Sequence, residues 1–210
     1  MTRKIDLVEL ASVLIDHPTD NRLIVGIAGA PGSGKSTLAE ALVQRVNSAQ
    51  SNRAALLPMD GYHYDDGLLG DLGRLSRKGA ADTFDVNGLA HMLVRLRENN
   101  EASIAVPVFD RSIEIARAGA RLIPAASDIV IVEGNYLLLN KAPWDSLAEF
   151  LDITVMIKTD NNILHDRLIK RWLALGLEKT DAYRKVEEND LPNGQMVNND
   201  SRLADFTITN

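Results

Sequence analysis

The chain contains no cysteine, which excludes disulfides, thiolate metal sites and cysteine nucleophiles. No apolar run approaches the roughly 20 residues that a membrane-spanning helix needs. The opening "MTRKIDLVEL" passes into an acidic, helix-periodic stretch, not into the apolar core of a secretory leader. Basic residues are in deficit: 23 Lys and Arg stand against 29 Asp and Glu, for a net charge of -6 and a pI near 5.2. Phosphate backbones and anionic membranes are met chiefly by clustered Lys and Arg, so the expectation is no nucleic acid and no membrane as partner, and a cytoplasmic location. Internal repeats, low-complexity tracts and interdomain linkers are also lacking.

What is present is ordinary globular material. With 210 residues, 45% of them apolar and 25% charged, the chain can bury a full core, and one domain over 1–210 is expected. Ile5, Leu7, Val8, Leu10, Ala11, Leu14 and Ile15 recur at helical spacing up to the breaker "DHPTDN". Leu23 to Ala28 reads as a strand and Lys35 to Val46 as a helix. Arg53 to Leu57 reads as a second strand and Val86 to Arg97 as a helix, with a long polar, Gly-containing loop between them. Loops of that length in compact domains are usually functional or disordered. "ASIAVPVFD" and "RSIEIARAGARLI" read as paired short strands, Asp128 to Val132 and Asp152 to Ile157 as buried strands, Asn161 to Leu175 and Asp181 to Glu188 as helices, and Phe206 to Thr209 as a last strand. Strands alternating with helices imply an α/β fold, a mainly parallel sheet covered by helices on both faces.

Between the first of these strands and its helix lie Gly29, Ala30, Pro31, Gly32, Ser33, Gly34, Lys35 and Ser36, followed by Thr37. They satisfy G-x-x-x-x-G-K-[ST] in the strand-to-helix context that the pattern requires. Such glycines let backbone N–H groups converge on a phosphate chain, the helix adds its positive end, the lysine reaches the outer phosphates, and the hydroxyl of Ser36 can bind Mg²⁺. A metal-ordering carboxylate is needed at a neighbouring strand end. Glu133 and Asp60 both stand there. Tyr62 and His63 add an aromatic wall and a neutral donor or acceptor beside Asp60. Arg77 and Lys78 read as surface charges, or, if they face the pocket, as favouring an acceptor that is already anionic. Arg167 and Arg171 are four apart and share one helix face, turned either to solvent or to the site.

The order of P-loop, "MDGYH", "TFD", "PVFDR", "VEGNYLLL" and a late helix with spaced arginines resembles the P-loop kinases of uridine kinase, pantothenate kinase and phosphoribulokinase. "LPMDGYHYDD", "RKGAADTFD", "PVFDRSIE" and "DLPNG" are similar to a bacterial subgroup labelled fructose-transport kinase or fructokinase-like. The resemblance implies a three-layer P-loop NTPase fold with a helical lid at about 162–192 and an acceptor loop at about 58–85. It implies ATP and Mg²⁺ as cofactors, Asp60 facing the acceptor hydroxyl, and Asp85 of the Phe-Asp pair gripping further hydroxyls. Arg111 would serve the substrate or pair with Asp110. Arg167 and Arg171 would come from the lid, and "ENDLPNGQMVNNDS" would follow it as a loop near the adenine.

The chain departs from uridine kinases at Gly61 and Tyr62, where those enzymes have a serine-like residue and an aromatic, and at Val108, Phe109 and Asp110. These departures weaken a nucleoside acceptor, and 210 residues leave little room for the substrate-covering segments of pantothenate kinases. The expectation is therefore phosphoryl transfer to a hydroxyl of a small metabolite, foremost a sugar. Uridine, glycerate and pantothenate are the alternative acceptors, and a nucleotide-driven switch with a protein partner is the alternative of another class. A homodimer is compatible with the sequence.

Overall fold

The computed structural model describes residues 2–18 and 21–210. A short strand β1 (Arg3–Lys4) leads into helix α1 (Leu7–Ile15). A reciprocal cap starts that helix: the Asp6 carboxylate accepts the Glu9 N–H at 2.8 Å, and the Glu9 carboxylate accepts the Asp6 N–H at 2.9 Å. β2 (Leu23–Gly29), α2 (Lys35–Ala49) and β3 (Ala54–Pro58) follow. The segment after β3, expected as a loop, carries a 3₁₀ turn at Met59–Tyr62 and a short helix α3 (Asp66–Asp71) that Asp65 caps through the Gly67 N–H at 2.8 Å. α4 (Val86–Glu98) then leads to an antiparallel hairpin of β4 (Ser103–Asp110) and β5 (Ile115–Pro124).

The chain returns to the centre with β6 (Ile129–Gly134) and β7 (Ile153–Lys158), continues through α5 (Asn161–Ala174), α6 (Lys179–Lys185) and α7 (Leu191–Asp200), and ends on β8 (Phe206–Thr209). The central sheet has six strands in the order β1-β8-β7-β2-β6-β3, all neighbours parallel. β2 lies between β6 and β7 and is buried throughout, which is why its sequence is an unbroken apolar run and not an alternation. Side chains nonetheless sort by parity. Val25, Ile27, Ile129 and Ile131 pack under α1 and α2, whereas Ile24, Ala28, Val130 and Val132 meet α4 and the hairpin on the opposite face. Among the described residues no helix is long and apolar enough to cross a membrane.

Two buried arginines staple the sheet's amino-terminal end. Arg22 donates to the carbonyls of Ser127, Leu96 and Pro124 at 2.8–2.9 Å, and Arg53 to those of Ile15 and His17 at 2.6 and 2.8 Å. The opposite edge, at the carboxyl ends of the strands, is where open parallel sheets bind ligands.

One expectation fails outright: the stretch within "ENDLPNGQMVNNDS" expected as a loop is largely the helix α7, entered through a π-turn at Val186–Asp190. Pro192 is tolerated because it sits in the first turn, where its missing N–H costs nothing. Two of the asparagines that suggest a loop are buried donors. Asn189 donates to the Lys78 carbonyl at 3.0 Å and Asn193 to the Gly79 carbonyl at 3.4 Å.

Candidate active site

β2 ends at Gly29, the chain turns, and α2 begins at Lys35. Gly34 has φ 88°, a left-handed conformation, and a Cβ there would collide with the Asn210 carboxamide. No side chain caps α2, so its first N–H groups are left for a ligand. Carbonyls of the loop are tied elsewhere, Ser33 to Asn210 Nδ2 at 2.6 Å and Gly32 to Arg167 Nη1 at 3.4 Å. The Ser33 hydroxyl is buried with no partner. An uncapped helix start beside an orphaned hydroxyl fits the phosphate chain of a nucleotide. Ala30 and Pro31 are buried, and Thr37 is exposed on α2.

Lys35 and Glu133 are both buried, close enough to act electrostatically on one another. Burial lowers the proton affinity of the Lys35 ammonium, with Glu133 and Asp60 opposing. Burial pushes the Glu133 carboxyl up to about 7 against the attraction of Lys35, and the nearby Ser36 side chain also opposes the rise. A hydroxyl and a carboxylate suit a hard cation. Among the described residues no cluster of three or more acidic or His side chains could hold a metal alone. Mg²⁺ at Ser36 and Glu133 would therefore take its other ligands from phosphate and water.

Asp60 leaves β3 in the 3₁₀ turn. Side chains three apart in such a turn eclipse, so Asp60 and His63 share the cleft face while Tyr62, between them, is driven into the core. Tyr62 is therefore no wall of the cleft. It is 8% exposed with its hydroxyl buried and unpartnered, and Phe109 lines the cleft instead. The Asp60 carboxylate accepts a hydrogen bond from Arg111. Burial opposes its ionisation, but Arg111, His63, Lys35 and Arg171 together hold its carboxyl below the usual range. His63 sits between Phe84 and Phe109, with ring centroids 4.0 and 4.8 Å away, and its Nδ1 is 2.8 Å from the Asp60 carbonyl oxygen. Burial lowers its proton affinity, with Asp60 opposing, so the ring is neutral at pH 7.

The pairing of Arg111 is decided by the hairpin. Asp110 is taken by the Ser112 hydroxyl at 2.6 Å and by Arg117 at 3.1 Å, which leaves Arg111 for Asp60. Gly61 fits the same contact, because a Cβ there would lie 2.6 Å from the Pro107 carbonyl oxygen. The hairpin presses on the Asp60 turn too closely for a serine. Asp85 is not in the cleft: it caps α4, accepting the Gly88 N–H at 2.8 Å, and is exposed. The Phe-Asp pair thus contributes Phe84, under His63, and not its carboxylate.

Arg171 lines the cleft and stacks on Trp172 at 5.4 Å, while Arg167 is exposed at the phosphate loop. Arg77 turns away to the Glu188 carbonyl, but Lys78 enters the cleft, bonded to Asp66 and to the Glu114 carbonyl, each at 2.5 Å. Cleft residues that sequence reasoning missed are Glu114, Asn135, Trp172, Lys185 and Asp190. Only Asn135 carried a signal, two residues beyond Glu133. It is 9% exposed with an unpartnered Oδ1. The cleft is open to solvent on one side.

A sequence profile described as "Phosphoribulokinase / Uridine kinase family" matches residues 24–175. A Schizosaccharomyces pombe protein named "Putative uridine kinase" is 32% identical over 97% of this chain and 88% of its own. The Escherichia coli "Uncharacterized protein YggC" is 35% identical over 95% of this chain and 82% of its own. The crystal structure of a "putative fructose transport system kinase" from Silicibacter sp. TM1040 superposes with a TM-score of 0.89 at 36% identity, covering 97% of this chain and 98% of that one.

Proposed function

The chain belongs to the phosphoribulokinase/uridine kinase family of ATP-dependent small-molecule kinases, and from that premise we propose that its acceptor is a hydroxyl of a sugar or polyol-like metabolite engaged by Asp60. The observation that carries this reading is the ionised Asp60 carboxylate, held by Arg111 in the same cleft as Lys35 and Arg171. A carboxylate whose proton affinity is depressed is a weak base. Phosphoryl transfer passes through a loose transition state in which the nucleophile needs orientation more than early deprotonation, and for that task such a group suffices.

In this reading Asp60 accepts the hydrogen bond of the acceptor hydroxyl and aims its oxygen. That oxygen bonds to the γ-phosphorus as the bond to ADP breaks, and the proton passes to Asp60 and then to water. Lys35 and the start of α2 hold the phosphates, while Ser36 and Glu133 order Mg²⁺. Bound Mg²⁺ and ATP supply the phosphoryl group and part of the charge neutralisation. α5 to the π-turn acts as a lid, from which Arg171 faces the transferring charge and Arg167 supports the phosphate loop. His63 and Phe109 form the acceptor wall. The proposal includes a cytoplasmic enzyme acting on a free metabolite, with neither nucleic acid nor membrane as partner.

The test is ADP release with Mg²⁺ and ATP against sugars, polyols, glycerate, nucleosides and pantothenate. One acceptor should stimulate turnover by orders of magnitude, and Asp60→Asn should lower that turnover by about 10²–10⁴-fold with ATP affinity kept. Slow ADP release indifferent to every acceptor and to Asp60→Asn would overturn the reading.

A further inference from the structure

Five cations line the cleft, Lys35, Lys78, Arg111, Arg171 and Lys185, with the carboxylates of Asp60, Glu114 and Asp190 among them. Lys35 lies at the phosphate loop and Arg171 opposes it, which leaves Lys78, Arg111 and Lys185 around the acceptor space. Arg111 is matched by Asp60, and Lys78 by Asp66. Lys185 has no such match: among the described residues no carboxylate forms an ion pair with it. Its ammonium lies 5.5 Å from the centre of the Trp172 ring and 3.4 Å from the Lys78 carbonyl oxygen. Asp190, which also lines the cleft, instead accepts the Trp172 indole N–H at 2.6 Å.

This arrangement is held from both sides. The Lys78 carbonyl accepts from Asn189 as well as Lys185, and the Gly79 carbonyl accepts from the Tyr136 hydroxyl at 2.7 Å and from Asn193. The clasp fixes the lid segment carrying Lys185 over the loop carrying Lys78. Burial and the nearby charges of Arg77 and Lys78 lower the proton affinity of Lys185, only partly offset by Asp190 and Glu114. A neutral polyol would leave this half-buried ammonium without an ion-pair partner, whereas an anionic group beside it, within reach of Lys78, would supply one.

We propose that the acceptor carries an anionic group, a phosphate ester or a carboxylate, besides the hydroxyl that is phosphorylated, and that Lys185 and Lys78 hold that group. This rests on the kinase reading for the word acceptor, but the anion subsite stands or falls separately. The anionic group is unchanged in the reaction, so the product carries two acidic groups. The step that supplies the substrate is then one that makes a sugar phosphate or a hydroxy acid.

Two arms test it. In the first, the nucleotide site is filled with Mg²⁺ and a non-hydrolysable ATP analogue, and inorganic phosphate or acetate is titrated while Trp172 emission and melting temperature are followed. The chain's other tryptophan, Trp144, is buried in the core. A saturable change is expected, at least tenfold weaker in Lys185→Gln and in Lys78→Gln and kept in Lys185→Arg. The tighter anion tells ester from carboxylate. No saturable change, or one that Lys185→Gln leaves intact, overturns the subsite.

The second arm compares ADP release with matched acceptors, glycerol against glycerate and a ketohexose against its 1- and 6-phosphates. The anionic member should have at least tenfold the kcat/KM of its neutral partner, and Lys185→Gln should raise its KM more than it lowers kcat. Preference for the neutral member overturns the proposal. Lys185-dependent phosphate binding with no acceptor-stimulated turnover would remove the kinase reading and leave the anion subsite standing.

Discussion

From Gly29 to Ser36 the phosphate side of the cleft takes its form from consecutive residues, whereas the side we propose for the acceptor gathers Asp60, Lys78, Arg111 and Lys185 from four separate segments. On the first side the ligand is met by backbone N–H groups at a helix start, so a few glycines and a lysine suffice. On the second, every charged group reaches its place through a tertiary contact: the hairpin against Gly61, Asp110 occupied by Ser112 and Arg117, Asn189 and Asn193 clasped to the Lys78 and Gly79 carbonyls. The difference teaches where a kinase of this kind can vary. The donor side is fixed by local geometry, while the acceptor side shifts with packing some distance from the chemistry.

That contrast can be broken by substitution. After the loss expected for Asp60→Asn, the largest effect belongs to Lys35→Met, which removes a preorganised charge from the phosphate side and should lower turnover by about 10²–10³-fold. The loss should be the same for every acceptor; an acceptor-dependent loss in steady-state kinetics would mean that the two sides are not separable. Gly61→Ser tests the opposite side. Its Cβ must displace the Pro107 carbonyl, a form of overpacking that typically costs about 1–3 kcal/mol. The melting temperature should fall, and the acceptor KM should rise with the ATP KM unmoved. An unchanged acceptor KM would free the cleft from dependence on the hairpin.

The smallest effect is a matter of pH. Glu133 titrates near 7 in the folded chain against an ordinary value of 4.5. Because its folded value is raised, its contribution to stability is complete below the unfolded value and is lost as pH rises through about 7. The melting temperature of the ligand-free protein should decline between about pH 5 and pH 8, and Glu133→Gln should flatten that decline. Equal slopes in the two proteins would place the pH dependence elsewhere.

Much of the frame is legible in the sequence. The strands are apolar runs bounded by turn residues, α2 and α5 are periodic, and the glycine loop lies between a strand and a helix. β1 escapes notice because two residues carry no period. α7 escapes because asparagines and a proline have loop propensity, which the buried hydrogen bonds of Asn189, in the turn before it, and of Asn193 to another segment override. Within the cleft, proximity to strand ends and resemblance point to Asp60, His63 and Arg111. Tyr62 was misplaced because sequence adjacency says nothing of which way a 3₁₀ turn points its side chains. Asp85 was misplaced because an aspartate before a helix serves the cap before it serves a ligand.

Lys78 reads as a surface charge, and in sequence nothing distinguishes it from Arg77. Its burial depends on Phe109 of the hairpin, whose ring centre lies 5.1 Å from its ammonium, and on Asn189 of the lid segment. The sequence by itself determined the layered sheet, the phosphate loop and the kinase family, because each rests on periodicity or on residues adjacent in the chain. Only the tertiary structure decided which cations face the cleft, because a long side chain takes its direction from whatever packs around it, and here those neighbours come from elsewhere in the chain.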